Sequence, residues 1–295
     1  MPPAVQDTTH RDSTAKKDTT GRDTIAIMVP RFAAPTPAGP LPAGSRYTFT
    51  ADSFTFSNIR TLSDLLGHIP GVYVVRGGFY GQAEIALYAG RGPLSLEIYW
   101  DGVPYVPVGR DSVYLDPARI PLAPLERVDV IVLPAALRVY LVTARQRSSA
   151  PATEVGILTG QQNIAAYRLG YQRRWRSGAG ISLIADWNSF DGTPGTSTTK
   201  FRDADVWVQG QYVPNDRVGL SYQVLSSTWT RNEEAGLVDG WAFKRSDGIL
   251  RAFLAPHGGD LGPRLDLAFA STTVSRDTVV GGETRRQVQL TASET

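Results

Sequence analysis

The second half of the chain is built from stretches of about ten residues in which apolar and polar positions alternate. In "VGLSYQV", residues 218–224, the apolar side chains take the even positions and the small or polar ones take the odd positions. "AAYRLGYQ" (165–172), "GISLIADW" (180–187) and "RLDLAFAS" (264–271) follow the same period of two, which is the period of a β-strand with two unlike faces. The alternation predicts about eight antiparallel strands, at about 152–159, 164–175, 180–189, 204–213, 217–230, 248–255, 264–274 and 286–293.

The connections between these strands are of two kinds. Stretches 176–180 and 213–217 are tight, 255–264 is intermediate, and 188–205, 231–248 and 275–287 are long and polar. Short turns at one end and long loops at the other are typical of outer-membrane β-barrels, which also carry aromatic girdles at the membrane interfaces. Aromatic residues near the strand ends favour the same interpretation, and they are Trp175, Trp187, Phe190, Tyr212, Trp229 and Trp241.

A soluble β-sandwich remains an alternative, because its half-buried strands alternate in the same way. The barrel interpretation carries its own constraint. A closed barrel of eight strands is filled by its own side chains, so it would have no room for a further domain. The strands therefore predict either a sandwich or a part of a larger barrel.

Residues 47–148 show a mixed pattern that predicts a small α+β domain. A helix is predicted at about 62–68, and strands are predicted near 72–75, 84–88, 94–100 and 127–133. Thr61 and Asp64 stand at the spacing of a helix capping box, and Pro70-Gly71 ends the helix, because proline cannot continue it and glycine permits the turn. Asp101-Gly102 predicts a tight turn after an apolar strand.

Residues 1–46 predict a disordered arm, because the prolines of 30–44 lack the amide donors that a helix or a central strand needs. One apolar, β-prone island lies inside it, "DTIAIMV" at 23–29. The first twenty residues contain no apolar segment of the kind that a secretory signal carries. We therefore expect that the true start lies upstream or that the chain is a fragment.

The amino-acid composition excludes several classes of site and partner. The 295 residues include no cysteine, so disulfides, thiolate nucleophiles and cysteine-based metal sites are excluded. The net charge of +2 is too small to indicate a nucleic-acid partner. His10, His68 and His257 are scattered, and no nucleophile-base set, phosphate-binding loop or metal-ligand spacing is present. We expect no enzyme, no metal and no cofactor. No run of about 18 apolar residues predicts a transmembrane helix.

Three motifs of the first half occur in one order, "TLSDLLGHIPGV" (61–72), "LEIYWDGVPY" (96–105) and "LERVDVIVLP" (125–134). Together they resemble the plug domain of TonB-dependent outer-membrane receptors. The residues that carry the resemblance are Leu65, Leu66, Pro70, Gly71, Val72, Asp101, Gly102, Val103, Pro104, Glu126, Arg127 and Val128. The resemblance implies an N-terminal arm over 1–46, an α+β plug domain over 47–148, and antiparallel transmembrane β-barrel strands over 149–295.

The chain departs from the family pattern in two respects. After residues 125–134 the family continues with Arg-Gly-Pro, Tyr-Gly and Gly-Gly, of which only Pro134 remains, so the loop is shortened and the plug is divergent. Plugged barrels of this class have about 22 strands, whereas about eight are predicted in this chain. The resemblance therefore implies the N-terminal part of a longer receptor.

The resemblance also implies a function. It is a ligand-gated, TonB-energised transporter in the bacterial outer membrane, for a scarce nutrient such as an iron chelate, cobalamin or a glycan. Its partners would be a periplasmic TonB-type energy-transducing protein, outer-membrane lipid and the nutrient ligand. Two alternatives remain open, an outer-membrane binding or structural protein without transport and a soluble β-sandwich binding protein.

Two sets of site residues follow from the resemblance. The apolar island in the arm looks like a TonB box, the segment that pairs edge-on with the transducing protein by β-augmentation, and it comprises Asp23, Thr24, Ile25, Ala26, Ile27, Met28 and Val29. The ligand-facing positions would lie at plug loop tips and barrel loops. They are Phe79, Tyr80, the stretch from Tyr105 to Arg110, and the loops 188–205 and 231–248.

Overall fold

The structure is a computed structural model that describes residues 28–30, 32, 45–77, 83–108, 114–160, 164–191, 200–232, 240–257, 263–278 and 281–294. Its first part is an α+β domain, and its second part is one antiparallel sheet. In the described part of the chain, no helix has both the length and the apolar character needed to cross a lipid bilayer.

The α+β domain contains two short helices and seven strands. They are β1 (Arg46–Thr50), α1 (Ala51–Thr55), α2 (Leu62–Leu66), β2 (Val72–Arg76), β3 (Glu84–Tyr88), β4 (Leu96–Trp100), β5 (Val103–Pro104), β6 (Leu125–Val132) and β7 (Leu137–Thr143), with single 3-10 turns at Pro93–Ser95 and Pro117–Arg119. Five strands form a sheet in the order β1-β6-β7-β4-β5, in which only β4 and β7 run parallel, and β2 and β3 form a separate hairpin.

Helix α2 is held by the capping box that the sequence predicts. The Thr61 hydroxyl accepts from the Asp64 amide at 3.2 Å, and the Asp64 carboxylate accepts from the Thr61 amide at 3.0 Å. The helix ends at Leu66, two residues earlier than predicted. Gly71 has a φ of +83°, which suits glycine because it has no side chain. Leu65 and Leu66 are fully buried.

The other two motifs also take structural positions. Asp101 and Gly102 form the turn between β4 and β5 with φ angles of +47° and +85°, the signs that a type I′ turn requires, so the predicted tight turn is confirmed. Val103 on β5 and Val128 on β6 are buried. Glu126 and Arg127 precede Val128 on β6 and are half-buried.

The second part confirms the eight predicted strands. They are β8 (Ala152–Thr159), β9 (Ala165–Arg174), β10 (Ala179–Phe190), β11 (Phe201–Asn215), β12 (Val218–Arg231), β13 (Trp241–Leu254), β14 (Leu265–Thr278) and β15 (Gly281–Glu294). Each pairs antiparallel with the next in chain order. We call the end of the sheet that carries the connections 191–200 and 232–240 the loop end, and the end that carries 175–178 and 216–217 the turn end.

The predicted loops are shorter than expected, and one of them is absent. The strands extend so far that the loops predicted at 188–205 and 231–248 shrink to 191–200 and 232–240. The loop predicted at 275–287 is wrong, because Thr278 pairs with Gly281 across a two-residue connection. The alternation fails there because Arg276, Asp277 and most residues of 281–286 are exposed, so neither face of the hairpin tip requires apolar side chains.

The sheet has its polar face buried and its apolar face exposed. On β11, Asp205, Gln209 and Gln211 are at most 6% exposed, whereas Val208 and Tyr212 are 37% and 53% exposed. A sandwich would bury its apolar face between two sheets, so the inverted polarity of this single sheet does not fit a sandwich and is typical of a β-barrel wall. The girdle prediction is only partly correct. Trp175, Trp187 and Tyr212 face outward, but Trp229 and Trp241 turn toward the α+β domain, and Phe190 lines a cavity beside it.

The α+β domain packs against the inward face of the sheet, which we call the wall. The hydrophobic core of the domain, which includes Leu65, Trp100 and Val128, continues into wall residues. Those wall residues are Ile184, Trp207, Leu225, Ile249, Ala268 and Ala270. The loop-end cavity and the Asp101 network described below lie on this contact between domain and wall.

Candidate functional site

A cavity of about 510 Å³ lies between the domain and the wall at the loop end. We call it the loop-end cavity. The domain contributes Arg60, Asp64, Arg76, Glu84, Asp116 and Arg119, and the wall contributes Asp186, Asn188, Phe190, Phe201, Asp203, Asp205 and Trp229. The lining is therefore rich in charge and contains aromatic rings, a combination that suits binding of a small polar molecule.

Asp64 joins the helix cap to this cavity. Its Oδ2 accepts from the backbone amides of Arg60 and Thr61, and its Oδ1 accepts from Arg76 at 2.6 Å. Burial raises the pKa of Asp64, but the hydrogen bonds from Arg76 and from those two amides outweigh it, so the pKa lies below its usual value. The carboxylate is thus held charged by contacts that also fix the helix start.

Arg119 is enclosed by aromatic rings of the wall. Its guanidinium lies 5.8 Å from the ring centre of Trp229, 4.5 Å from that of Trp241 and 5.2 Å from that of Phe243, within the range of cation–π attraction. It also pairs with Asp116 at 3.0 Å. Burial lowers the pKa of Arg119 and raises the pKa of Asp116, and in each case the charged partner opposes the shift. The group clamps the domain to β12 and β13.

The wall side of the cavity carries three carboxylates. Asp186 on β10 and Asp205 on β11 are directly opposite cross-strand partners, and Asp203 lies two residues from Asp205 on the same face. Asn188 donates to Asp186 at 3.2 Å. The alternation of 180–187 placed Asp186 on a polar face, but the loop predicted at 188–205 contained both Asp203 and Asp205, so sequence reasoning did not bring the three together.

Three of the predicted ligand-facing residues, Phe79, Tyr80 and Arg110, lie outside the described residues. Tyr105 is described, and it is 6% exposed. The Arg245 guanidinium of β13 lies 3.6 Å from its ring centre, and burial raises the pKa of its hydroxyl. Tyr105 lines a second cavity of about 200 Å³ that also includes Arg119 and Arg276. Whether these positions meet a ligand stays a prediction.

Asp101 is the centre of a buried polar network. Its Oδ1 accepts from the Arg145 guanidinium at 2.9 Å and its Oδ2 accepts from Gln223 of β12 at 2.9 Å, while the Thr143 amide and hydroxyl donate at 3.1 and 2.7 Å. Trp207 in turn donates to Gln223 at 2.9 Å. Burial raises the pKa of Asp101, but the charge of Arg145 and the other donors outweigh it and lower the pKa.

The arm reaches the same network at the turn end. The Val29 amide donates to the Arg147 carbonyl at 2.8 Å, and Met28 forms an isolated antiparallel bridge with Ser148. Arg174 of β9 donates to the Pro30 carbonyl at 2.7 Å, and Arg145 donates to the Phe32 carbonyl at 3.3 Å. Of the predicted TonB box, only Met28 and Val29 are therefore seen, and residues 23–27 lie outside the described residues.

Phe32 fills a socket in the wall. Its side chain is 2% exposed and packs with Val213, Phe253 and Ala255. Its ring meets the Phe253 ring edge-on at 4.9 Å between centres, and the Arg251 guanidinium lies 4.8 Å from its centre. The arm is thereby pinned to the barrel wall just beyond the predicted TonB box.

Comparison with known proteins identifies the first domain. The TonB-dependent receptor plug domain matches residues 42–139. A comparison with curated protein sequences gives no match.

Among solved structures, the chain is similar to the unliganded ferric citrate transporter FecA, with a TM-score of 0.61 and 18% identity over 86% of this chain and 43% of that one. It is similar to a mutant ferric enterobactin receptor, PfeA of Pseudomonas aeruginosa, in complex with enterobactin, with a TM-score of 0.64 and 17% identity over 86% and 47%. It is also similar to the copper transporter OprC, with a TM-score of 0.61 and 14% identity over 86% and 46%. At these identities the similarity shows the fold, and the chain spans less than half the length of these proteins.

Proposed function

Since residues 42–139 are a TonB-dependent receptor plug domain and the strands after it have the fold of these receptors, we propose that the protein acts as a ligand-gated transporter of the bacterial outer membrane. A TonB-type protein in the periplasm would energise it. The observation that carries the proposal is the continuity of arm, plug and wall around Arg145. This one side chain contacts Phe32 of the arm and Asp101 of the plug, and Asp101 contacts Gln223 of the wall.

The proposed roles follow from where each part lies. The predicted TonB box, residues 23–29, would pair with the transducing protein through main-chain hydrogen bonds. A force applied to the arm would act first on the contacts of Phe32. It would then act on Arg145, which joins Phe32 to the plug–wall network. The outward apolar rows of β9–β15, such as Leu220, Tyr222 and Phe269, would face outer-membrane lipid.

The ligand would enter from the loop end. The loop-end cavity opens beside the connection 191–200, and the long loops of outer-membrane barrels are external. Similar proteins are named for ferric citrate, ferric enterobactin and copper, which supports a small nutrient as the class of ligand.

Deletion of residues 23–29 in the full-length receptor tests the proposal. Cells are compared for accumulation of radiolabelled ferric citrate, ferric enterobactin, copper, cobalamin, a maltodextrin and the organic cation spermidine. We expect the intact receptor to accumulate one of them, and accumulation to stop when the proton-motive force is collapsed or the segment is deleted. Accumulation that survives both treatments would contradict energised transport.

A binding role without transport is the second candidate, and the short hairpin between β6 and β7 favours it. The hairpin of β6 and β7 turns tightly, with the Leu133 amide donating to the Ala136 carbonyl at 2.9 Å, where the family has a longer Gly-rich loop. Cell-surface binding without accumulation in the same assay would support this candidate.

A further inference from the structure

The loop-end cavity contains more carboxyl groups than its own guanidinium groups can pair with. Its lining includes six carboxylates and three guanidinium groups. Asp64 pairs with Arg76, and Asp116 pairs with Arg119. Four carboxyl groups then remain against the single guanidinium of Arg60, and a bound cation would stabilise their charged forms.

The excess carboxyl groups are concentrated on the wall. Asp186 and Asp205 are directly opposite on adjacent strands, which places their Cβ atoms about 5 Å apart, where like charges repel each other. Arg168 lies opposite Asp186 on β9, but its guanidinium is shared with Glu154, to which it donates at 3.5 Å. Asp203 lies near the Arg119 charge and beside the side chains of Asn188 and Trp229, whereas Asp205 has, among the described residues, only the neutral Ser227 hydroxyl as a neighbouring donor.

Asp205 is a buried acceptor that lacks a donor. Its side chain is 5% exposed, and its Oδ1 accepts no hydrogen bond from any residue that the structure describes. Asp203 Oδ1 is also without a donor in the same part of the chain. Because buried polar atoms are almost always hydrogen-bonded, these two oxygens are suited to donors that a ligand brings.

The rest of the lining favours an organic cation over a metal ion. Phe190 and Phe201 are cross-strand partners, and aromatic faces bind alkylammonium and guanidinium groups by cation–π attraction. Among the described residues, no three His, Asp or Glu side chains form a group that could hold a metal ion. The volume of about 510 Å³ suits a small molecule.

We propose that the loop-end cavity binds the ammonium or guanidinium group of a cationic small molecule, with the carboxylates of Asp203 and Asp205 as acceptors. This inference rests on the proposed function, since it assigns a charge to the ligand of the same receptor. It separates this protein from any receptor whose ligand is an anionic chelate.

Calorimetric titration of the full chain in detergent tests the inference, with spermidine as the probe and the dianion glutarate as the matched control. The variants are Asp203→Asn and Asp205→Asn, and Asp205→Glu keeps the charge. Asp216→Asn removes the same charge from the exposed turn at the opposite end of the strands. We expect spermidine but not glutarate to bind. Each of the first two variants should weaken spermidine at least tenfold, and the last two should stay within threefold of the parent.

Other results would overturn the inference. Equal spermidine binding by Asp203→Asn, Asp205→Asn and the parent would do so, as would a parent that folds but binds no spermidine. Tighter binding of Ca²⁺ than of spermidine would contradict the organic cation. Ferric citrate binding that strengthens in Asp205→Asn would overturn the cationic assignment and leave transport intact. Loss of energised accumulation with spermidine binding retained would instead contradict the proposed function alone.

Discussion

Gln223 of the barrel wall donates a hydrogen bond of 2.9 Å to Asp101 of the plug across 122 positions of sequence. The same amide accepts from Trp207 through its oxygen at 2.9 Å. A single side chain therefore satisfies a buried carboxylate on one side and a buried indole on the other, and it does so on the contact between the two parts of the fold.

Substitution Gln223→Ala should destabilise the plug–wall contact. It leaves Trp207 Nε1 without an acceptor and removes one donor from Asp101, and a buried polar group that loses its partner costs about 1–3 kcal/mol. We expect the free energy of unfolding to fall by about 2 kcal/mol, measured by urea unfolding in detergent. Val224→Ala, on the outward face of the same strand, is the control. Equal stability of Gln223→Ala and the parent would show that the amide is dispensable.

The packing of Phe32 should protect the arm from proteases. Phe32→Ala empties a socket in which the side chain is 2% exposed, and loss of a buried phenyl ring costs about 3 kcal/mol or more. Because the arm joins the rest only through the contacts of residues 28–32 among those described, we expect local release rather than global unfolding. Limited trypsin digestion should cleave after Arg31 at least fivefold faster. Met28→Ala, at a position 68% exposed, should leave the rate unchanged.

The rings around Arg119 give a spectroscopic test. Arg119→Ala removes the cation that Trp229 and Trp241 enclose and leaves Asp116 without its ion-pair partner. Breaking a buried pair costs about 3 kcal/mol or more. Tryptophan emission should shift to longer wavelength as water enters, and thermal unfolding should occur earlier. Arg119→Lys keeps the charge but loses the planar stacking, so an intermediate effect is expected, and an emission spectrum identical to the parent in both variants would contradict the clamp.

Asp64 predicts a pH dependence of stability. Its pKa in the folded state lies below the usual value of 3.8, so the folded state favours the charged form more than the unfolded state does. Its contribution is therefore fully present above the unfolded pKa and is lost as pH falls through the folded pKa. The stability difference between the parent and Asp64→Asn should be constant near pH 7 and should shrink below about pH 4. A stability difference that grows on acidification would mean that the pKa of Asp64 is raised in the folded state, which would contradict the prediction.

The backbone conformation at residue 178 requires glycine. It has a φ of +90°, and an added Cβ would overlap the Val213 carbonyl. The Gly178 carbonyl also accepts from the Val213 amide at 2.8 Å, so the turn cannot move away without losing this bond. Gly178→Ala should lower the yield of refolded protein in a heat-modifiable gel assay. Gly210→Ala, whose Cβ would meet nothing within 4 Å, should refold as the parent does.

The local sequence pattern predicts the helices, strands and turns of this chain. The candidate site, in contrast, depends on contacts between residues that are far apart in sequence. The period of two found all eight wall strands, because each strand has one apolar and one polar face. The capping box of Thr61 and Asp64 and the turn at Asp101 are equally local. The inward orientation of Trp229 was missed, because an aromatic residue near a strand end looks the same whether it meets lipid or plug. The pairing of Asp101 with Gln223 could not be read from sequence, since it depends on how the domain docks.

The inward face of the wall also sets what happens if the plug moves. Apart from a few apolar contacts such as Ile184 and Leu225, that face presents Gln209, Ser221, Arg251 and similar residues. Water can replace the hydrogen bonds that such groups lose, whereas an apolar wall would resist wetting. A displaced plug would therefore leave a wall surface that water wets readily, so these strands need no second apolar partner to cover them.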